Sequence, residues 1–349
     1  MNVKALLLAL CLASPALAQG FAGLGTDASG FAVPEQDRTL EFPRDHGAHP
    51  QYRIEWWYLT MTLQGADGRD YGAQWTLFRS ALAPEEREGW ASPQVWMGHA
   101  GLTTPDTHFA AERFGRGGVG QAGAQAAPFR AYIDDWHMTS TAPSGADALS
   151  ALSVAATGPD FAYSFDLTAQ GPLVLHGDKG YSVKSAAGQA SYYYSQPFYT
   201  VTGTLDLPTG PVEVTGQGWL DREWSSQPLA SDQEGWDWVS ITLDDGHRLM
   251  GFQLRGADIF TAGTWITPDG SATSLPDGAL QFTPLGTATV AGREVPVRWQ
   301  IDWPARDMRL VTEPVNPQAW MDLTVSYWEG PIRVNGTHTG RGYLEMTGY

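Results

Sequence analysis

The sequence predicts an all-β fold in which one barrel-like unit occurs twice. Three observations carry this. Glycine (40), proline (23) and aromatic residues (12%) are plentiful in the 349 residues while charged residues are only 17%, a composition of many turns between apolar strands rather than of a helical bundle. Asp-Gly pairs at Asp67-Gly68, Asp245-Gly246, Asp269-Gly270 and Asp277-Gly278 punctuate runs of aromatic and β-branched residues, the local signature of hairpins. The third observation is an internal repeat. Trp56-Trp57-Tyr58-Leu59-Thr60-Met61-Thr62-Leu63, the Asp-Gly turn and a return strand with Gly72-Ala73-Gln74 recur as Trp236-Asp237-Trp238-Val239-Ser240-Ile241-Thr242-Leu243, the turn and Gly251-Phe252-Gln253. The two copies lie about 180 residues apart, which reads as two copies of one β-fold. A copy of this size suits about 10 strands or fewer, curved into a barrel that removes its own edges.

The elements follow in order. Residues 1–18 read as a secretory signal peptide: Lys4, an apolar run from Ala5 to Ala13, and Ala16-Leu17-Ala18 as the cleavage site. Export to the periplasm or beyond is the expectation. No later apolar run is long enough for a membrane span. The one cysteine, Cys11, falls in that leader, so disulfides and thiolate chemistry are excluded from the mature chain. Residues 19–40 are Gly/Ala-rich and read as a flexible lead-in, followed by an N-terminal domain over 41–225 and a C-terminal domain over 226–349. Ile54–Leu63 and Tyr71–Phe78 form the first hairpin. Further strands are expected at 95–104, 130–138, 161–167, 200–206, 211–219, 236–243, 248–255, 259–266, 295–303, 320–328 and 341–347. Pro84–Glu88 suits a helical turn, and Gly115–Ala127 reads as a loop.

A net charge of −17 argues against nucleic acid and anionic membrane surfaces, which need clustered cations. The sequence has no G-x-S-x-G elbow, P-loop, G-x-G-x-x-G after a strand or H-E-x-x-H, so familiar hydrolase and nucleotide sites are excluded. Strand alternation places Glu55 and Trp57 on one face and Trp56 and Tyr58 on the other, and sets Trp236 and Trp238 opposite Asp237. One such set is expected to line a cavity. His46 and His49 form a pair of imidazoles near Asp45 that could ligate zinc, but no further ligand is evident and the groups read as ones that hydrogen-bond the first strand. His99, within a strand, is either a core residue or a functional one.

The most polar segment in apolar surroundings is Trp219-Leu220-Asp221-Arg222-Glu223-Trp224. It has two readings: an ion-pair network at a domain junction, or a carboxyl whose pKa is raised among rings so that it serves as a general acid. The run Tyr192-Tyr193-Tyr194 adds phenols that donate hydrogen bonds or face a cation.

Several of these words together resemble a known family: Phe42-Pro43-Arg44-Asp45-His46-Gly47-Ala48-His49, Glu55-Trp56-Trp57-Tyr58, Ser191-Tyr192-Tyr193-Tyr194-Ser195, Gly218 to Trp224, Gly235-Trp236-Asp237-Trp238, Tyr327-Trp328-Glu329-Gly330 and Gly342-Tyr343-Leu344-Glu345. The chain resembles the secreted AttH-like family, related to carotenoid 1,2-hydratases (hydroxyneurosporene synthases). That resemblance implies two lipocalin-like (calycin) barrels and an apolar ligand. It also implies an Asp, matching Asp221, that protonates a double bond before water adds. The hydratase pattern has Tyr-Trp-Asp where this chain has Trp219-Leu220-Asp221. On this reading Asp221 is the proton donor and Glu223 or His99 positions water, while Trp57, Tyr194, Trp219, Trp224, Trp236 and Trp238 surround the substrate. No metal or organic cofactor is implied. The competing expectation is a non-catalytic lipid carrier that works with an ABC-transporter permease; sugar binding through exposed tryptophans is a third.

Overall fold

The computed structural model describes residues 28–349. The expected leader, Cys11 and the start of the lead-in lie outside the described residues. Strands β1 (Ile54–Gly65), β2 (Asp70–Ala81), β3 (Gln94–Thr103), β4 (His108–Arg116), β5 (Ala122–Ala126), β6 (Phe129–Ile133), β7 (Trp136–Ser140), β8 (Ala151–Thr157), β9 (Ala162–Ala169), β10 (Val174–Leu175), β11 (Tyr181–Val183), β12 (Ala190–Leu207) and β13 (Gly210–Ser225) form one sheet. Strands β14 (Gly235–Leu243), β15 (Arg248–Arg255), β16 (Ile259–Ile266), β17 (Ala272–Leu275), β18 (Gln281–Val290), β19 (Arg293–Trp303), β20 (Met308–Pro314), β21 (Trp320–Met321), β22 (Tyr327–Gly336) and β23 (Gly340–Met346) form the other. The fold is all-β, two lipocalin-like barrels in tandem, with short 3₁₀ turns as the helical content of the described residues.

The two sheets share a plan. The first runs β4-β3-β2-β1-β13-β12 and on to β5; the second runs β17-β16-β15-β14-β23-β22 and on to β18. In each, an antiparallel meander is closed by its last strand returning beside its first. The four Asp-Gly pairs all fall between strands, and Gly68, Gly246, Gly270 and Gly278 all have positive φ, from 76° to 90°, where a Cβ would be strained.

Alternation fills each barrel. Trp57, Leu59 and Met61 of β1 join Trp75, Trp136 and Phe165 in the first core, while Val239 and Ile241 of β14 join Trp299, Trp328 and Leu344 in the second. The other faces of the same strands meet between the barrels, where Tyr58, Tyr193, Trp219, Trp238, Phe252 and Tyr343 form a third cluster. Fully burying a Val, Leu, Ile, Phe or Met side chain in such clusters contributes about 1.5–3 kcal/mol.

Several expectations are corrected. The first sheet has 13 strands, more than about 10: β4, β8, β10 and β11 fall outside the expected strands, β5 lies within the Gly115–Ala127 stretch expected as a loop, and one expected strand is two. Residues 130–138 are two strands broken at Asp134, which has φ 51°. Residues 320–328 split into β21 and the start of β22. The helical turn expected at Pro84–Glu88 does not form; those residues are irregular and a 3₁₀ turn follows at Gly89–Ala91. Residues 28–40 lie against the first sheet: Ala32 N–H donates to the Gln51 carbonyl at 3.0 Å, Tyr192 hydroxyl donates to the Glu35 carbonyl at 2.9 Å, and Leu40 is buried.

Candidate functional site between the barrels

Both barrel interiors are packed with side chains, and the cavity lies at the junction of their outer faces. Its volume is about 340 Å³. Strands β1, β2, β3, β12 and β13 supply one wall, through Trp56, Tyr58, Phe78, Met97, His99, Tyr193, Asp221 and Glu223; β14, β15, β22 and β23 supply the other, through Trp236, Trp238, Phe252, Tyr327 and Glu345.

The period of 2 explains which expected site residues meet there. Asp221, Glu223, His99, Trp236 and Trp238 all line the cavity. Trp219 lies in the junction cluster and donates its indole N–H to Asp221 Oδ1 at 2.7 Å. Trp57, Tyr194 and Trp224 do not reach it: all three point into the first barrel, wholly buried. Trp57 donates to the His46 carbonyl at 2.9 Å, Tyr194 hydroxyl lies 2.7 Å from His46 Nδ1, and the Trp224 ring stacks on His49 at 4.0 Å. Their role is core packing. Consecutive motif residues alternate between the two faces, so one aromatic word serves two compartments.

The same alternation separates Arg222 from Asp221. Arg222 points into the first barrel, donating to the Trp56 and Gly47 carbonyls at 2.7 and 2.8 Å and to Glu55 Oε2 at 3.2 Å, its guanidinium 3.8 Å from the Trp57 ring. Glu55 is also paired with Arg79 and with His49 Nδ1 at 3.0 Å, and His49 Nε2 reaches Asp45 at 3.3 Å. Burial acts to raise the Glu55 pKa, but Arg79, His49 and Arg222 hold it well below the usual carboxylate range. The Asp45–His49 loop therefore belongs to a buried ion network behind β1. Among the described residues no group of three potential ligands forms a metal site.

Asp221 has only neutral hydrogen-bond partners. Oδ1 accepts from Trp219 and from Ser195 hydroxyl, and Oδ2 accepts from Tyr193 hydroxyl at 2.9 Å. Burial pushes its carboxyl up to about 7, against the pull of those three donors, and the nearby Glu223 charge pushes the same way. Tyr193 hydroxyl in turn accepts from Trp238 at 3.1 Å. Behind Ser195 lies His176, its Nε2 2.6 Å from Ser195 Oγ and its Nδ1 2.8 Å from Thr264 Oγ1 on β16. Burial, with the Lys184 charge nearby, lowers His176 to about 3, so the imidazole is neutral and can pass a hydrogen bond through. Glu223 is committed differently: it pairs with Lys184 at 2.8 Å and accepts from Ser191, an anchored ion pair at the cavity edge. An apolar, ring-lined space beside a half-protonated acid can hold an apolar molecule, protonate it and face the resulting cation with aromatic rings.

Sequence reasoning missed the second wall's acids. Glu345 lines the cavity and Glu329 lies beside it on the adjacent strand, in register. The signal was in the repeat: Tyr58 pairs with Asp221, and its counterpart Trp238 pairs with Glu345. His176 carries no comparable signal, because it stands in a connecting segment without periodicity.

Fold and cavity together define a two-barrel lipocalin-like protein with a carboxyl group at the barrel junction. The chain belongs to the AttH-like family, whose model matches residues 33–349. It is 32% identical to a Nitrosomonas europaea protein described as AttH, over 91% of this chain and 99% of that one, with a TM-score of 0.81. Kievitone hydratase from Nectria haematococca matches at 14% identity and TM-score 0.65, over 91% of this chain and 98% of that one. CghA in complex with Sch210972 matches at 12% and 0.53, over 90% and 97%. The latter two likenesses concern the fold. No curated protein matches the chain.

Proposed function

We propose that this protein binds an apolar, isoprenoid-like molecule in the junction cavity and catalyses acid-initiated hydration of a carbon–carbon double bond, or the reverse dehydration or a cyclisation through the same cation. Asp221 is the proton donor. The observation that carries this is the placement of Asp221: buried, on the wall of a ring-lined cavity, among neutral donors that leave it near half-protonation at neutral pH. Trp56, Trp236 and Trp238 face the cation, and His99 positions water. The family membership and the kievitone hydratase fold support the reading. We place the mature protein in the periplasm or outside the cell, on the leader-like residues 1–18.

The test is turnover of farnesol, an apolar alcohol with trisubstituted double bonds, in heavy-oxygen water. The expected product is a tertiary alcohol that carries the label. Asp221→Asn should abolish it while the fold survives; equal product from both proteins would refute the assignment.

One observation favours a second reading, a carrier that hands lipid to or from an ABC transporter. Both Asp221 oxygens already have partners in the wall, as a structural acid would. Native mass spectrometry of protein from the periplasm separates the two: a carrier retains lipid unchanged, and Asp221→Asn leaves that load intact.

A further inference from the structure

The second wall of the cavity contains a carboxyl pair. Glu329 on β22 and Glu345 on β23 face each other as register partners. Glu345 Oε1 accepts from Trp236 indole N–H, and Glu329 Oε1 accepts from Tyr58 hydroxyl at 2.5 Å. Glu329 is 0% exposed and its Oε2 has no hydrogen-bond partner. Burial, then the charge of Glu345, pushes Glu329 well above the carboxylate range, and burial pushes Glu345 up to about 7. Two carboxylates side by side cannot both ionise easily, so such a pair shares a proton.

An independent observation on the facing wall of the same cavity points to a ligand. His99 is 0% exposed and lines the cavity, and its Nε2 has no partner. Its Nδ1 lies 2.9 Å from Tyr327 hydroxyl. The tautomer with the proton on Nδ1, donating to Tyr327, leaves Nε2 a bare acceptor, and burial lowers His99 to about 3, so the ring stays neutral. A buried acceptor without a donor costs free energy unless a ligand or water supplies one.

We propose that Glu345 and Glu329 form a second acid–base site of the junction cavity, which takes the proton of the attacking water while His99 Nε2 holds that water. This rests on the hydratase reading above. The step balances as follows. The Asp221 O–H bond breaks and a C–H bond forms with the π electrons of the substrate, leaving a tertiary cation. The water oxygen forms the C–O bond, and one of its O–H bonds breaks toward Glu345, whose carboxylate gains the proton. Alkene plus water gives alcohol, and a proton returned from the pair to Asp221 through solvent restores the starting state.

The test uses the whole protein with two probes. Farnesol in deuterium oxide reports proton delivery and hydration separately. In Glu345→Gln and Glu329→Gln hydration should fall about 10²-fold, while deuterium still enters the carbon skeleton, because Asp221 protonates and the cation reverts. Hydration at the parent rate in both variants would overturn the proposal. N,N-dimethyloctylamine, an ammonium mimic of the cation, tests the pair without turnover. Its binding to Asp221→Asn is measured by calorimetry at pH 7 in two buffers of different ionisation enthalpy. Proton release that vanishes when Glu345→Gln is added supports the shared-proton pair; no release from Asp221→Asn overturns it. If the parent protein neither hydrates farnesol nor incorporates deuterium, the hydratase reading fails and the amine titration still decides the pair. Should Glu345→Gln not fold, Glu329→Gln carries the same readouts.

Discussion

Tyr58 and Trp238 occupy equivalent places in the two barrels, and each donates a hydrogen bond across the junction, Tyr58 directly to an acid and Trp238 to the tyrosine that holds one. Tyr58 hydroxyl donates to Glu329 of the second barrel at 2.5 Å; Trp238 indole N–H donates at 3.1 Å to Tyr193 of the first, which holds Asp221. Their rings meet edge to face at 5.3 Å. The duplicated fold thus places an acid in each wall, Asp221 and Glu345, and ties each wall to the other.

Tyr58→Phe tests that tie. It removes the hydrogen bond to a fully buried carboxyl, which should cost about 1–3 kcal/mol. Denaturant unfolding measures it, and a change below experimental error would show that Tyr58 serves only as a ring.

Asp221 gives the protein a characteristic pH dependence. Its folded pKa, about 7, lies above its unfolded value of 3.8, so the folded state binds the extra proton between those values. Stability from this group is full below pH 4 and is lost as pH rises toward 7. The separation amounts to about 4 kcal/mol, and Glu345, raised from 4.5 to about 7, adds to the same slope. Glu55 and Asp45 act oppositely: both are depressed, so their stabilisation is present above their unfolded values and is lost in acid. Stability measured against pH should therefore peak in weak acid, and Asp221→Asn should flatten the fall between pH 4 and 7. An unchanged slope in the variant would contradict the assignment.

Trp57 and Trp236 look alike in sequence but belong to different compartments. Trp57→Ala leaves a cavity in the first core and should cost about 3–5 kcal/mol without altering ligand affinity per folded molecule. Trp236→Ala should cost far less stability and weaken binding of a neutral apolar probe such as N-phenyl-1-naphthylamine. Thermal unfolding and fluorescence titration, run on both, separate the roles.

The buried network behind β1 should respond as a unit. Glu55→Gln leaves Arg79 and Arg222 short of a counter-charge inside the first barrel, a loss of about 3–5 kcal/mol. Circular dichroism against denaturant would show it; a loss below 1 kcal/mol would mean that the two arginines are satisfied by their carbonyl partners alone.

Much of this was legible in the sequence because period and repeat are local signals. The Asp-Gly turns, the β1–β2 and β14–β15 hairpins and the opposed faces of Trp56 and Trp57 follow from alternation. So does the separation of Asp221 from Arg222, although the ion-pair reading treated them as one cluster. The choice of face as core or cavity was not legible, because both faces of β1 are aromatic and only the second barrel's position distinguishes them. Trp57, Tyr194 and Trp224 were therefore assigned to the wrong side. Glu329, Glu345 and His176 meet the site through strand pairing and a connecting segment, contacts that span more than a hundred residues or have no periodic trace.

The central claim is that Asp221 holds a proton in the cavity wall at near-neutral pH. Infrared spectroscopy of protein isotopically labelled in its aspartate carboxyls measures this directly. The account predicts a protonated-carboxyl C=O band at pH 6 that fades as pH passes about 7, is absent from Asp221→Asn and shifts when an apolar ligand fills the cavity. A spectrum with only ionised aspartate at pH 6 would contradict it.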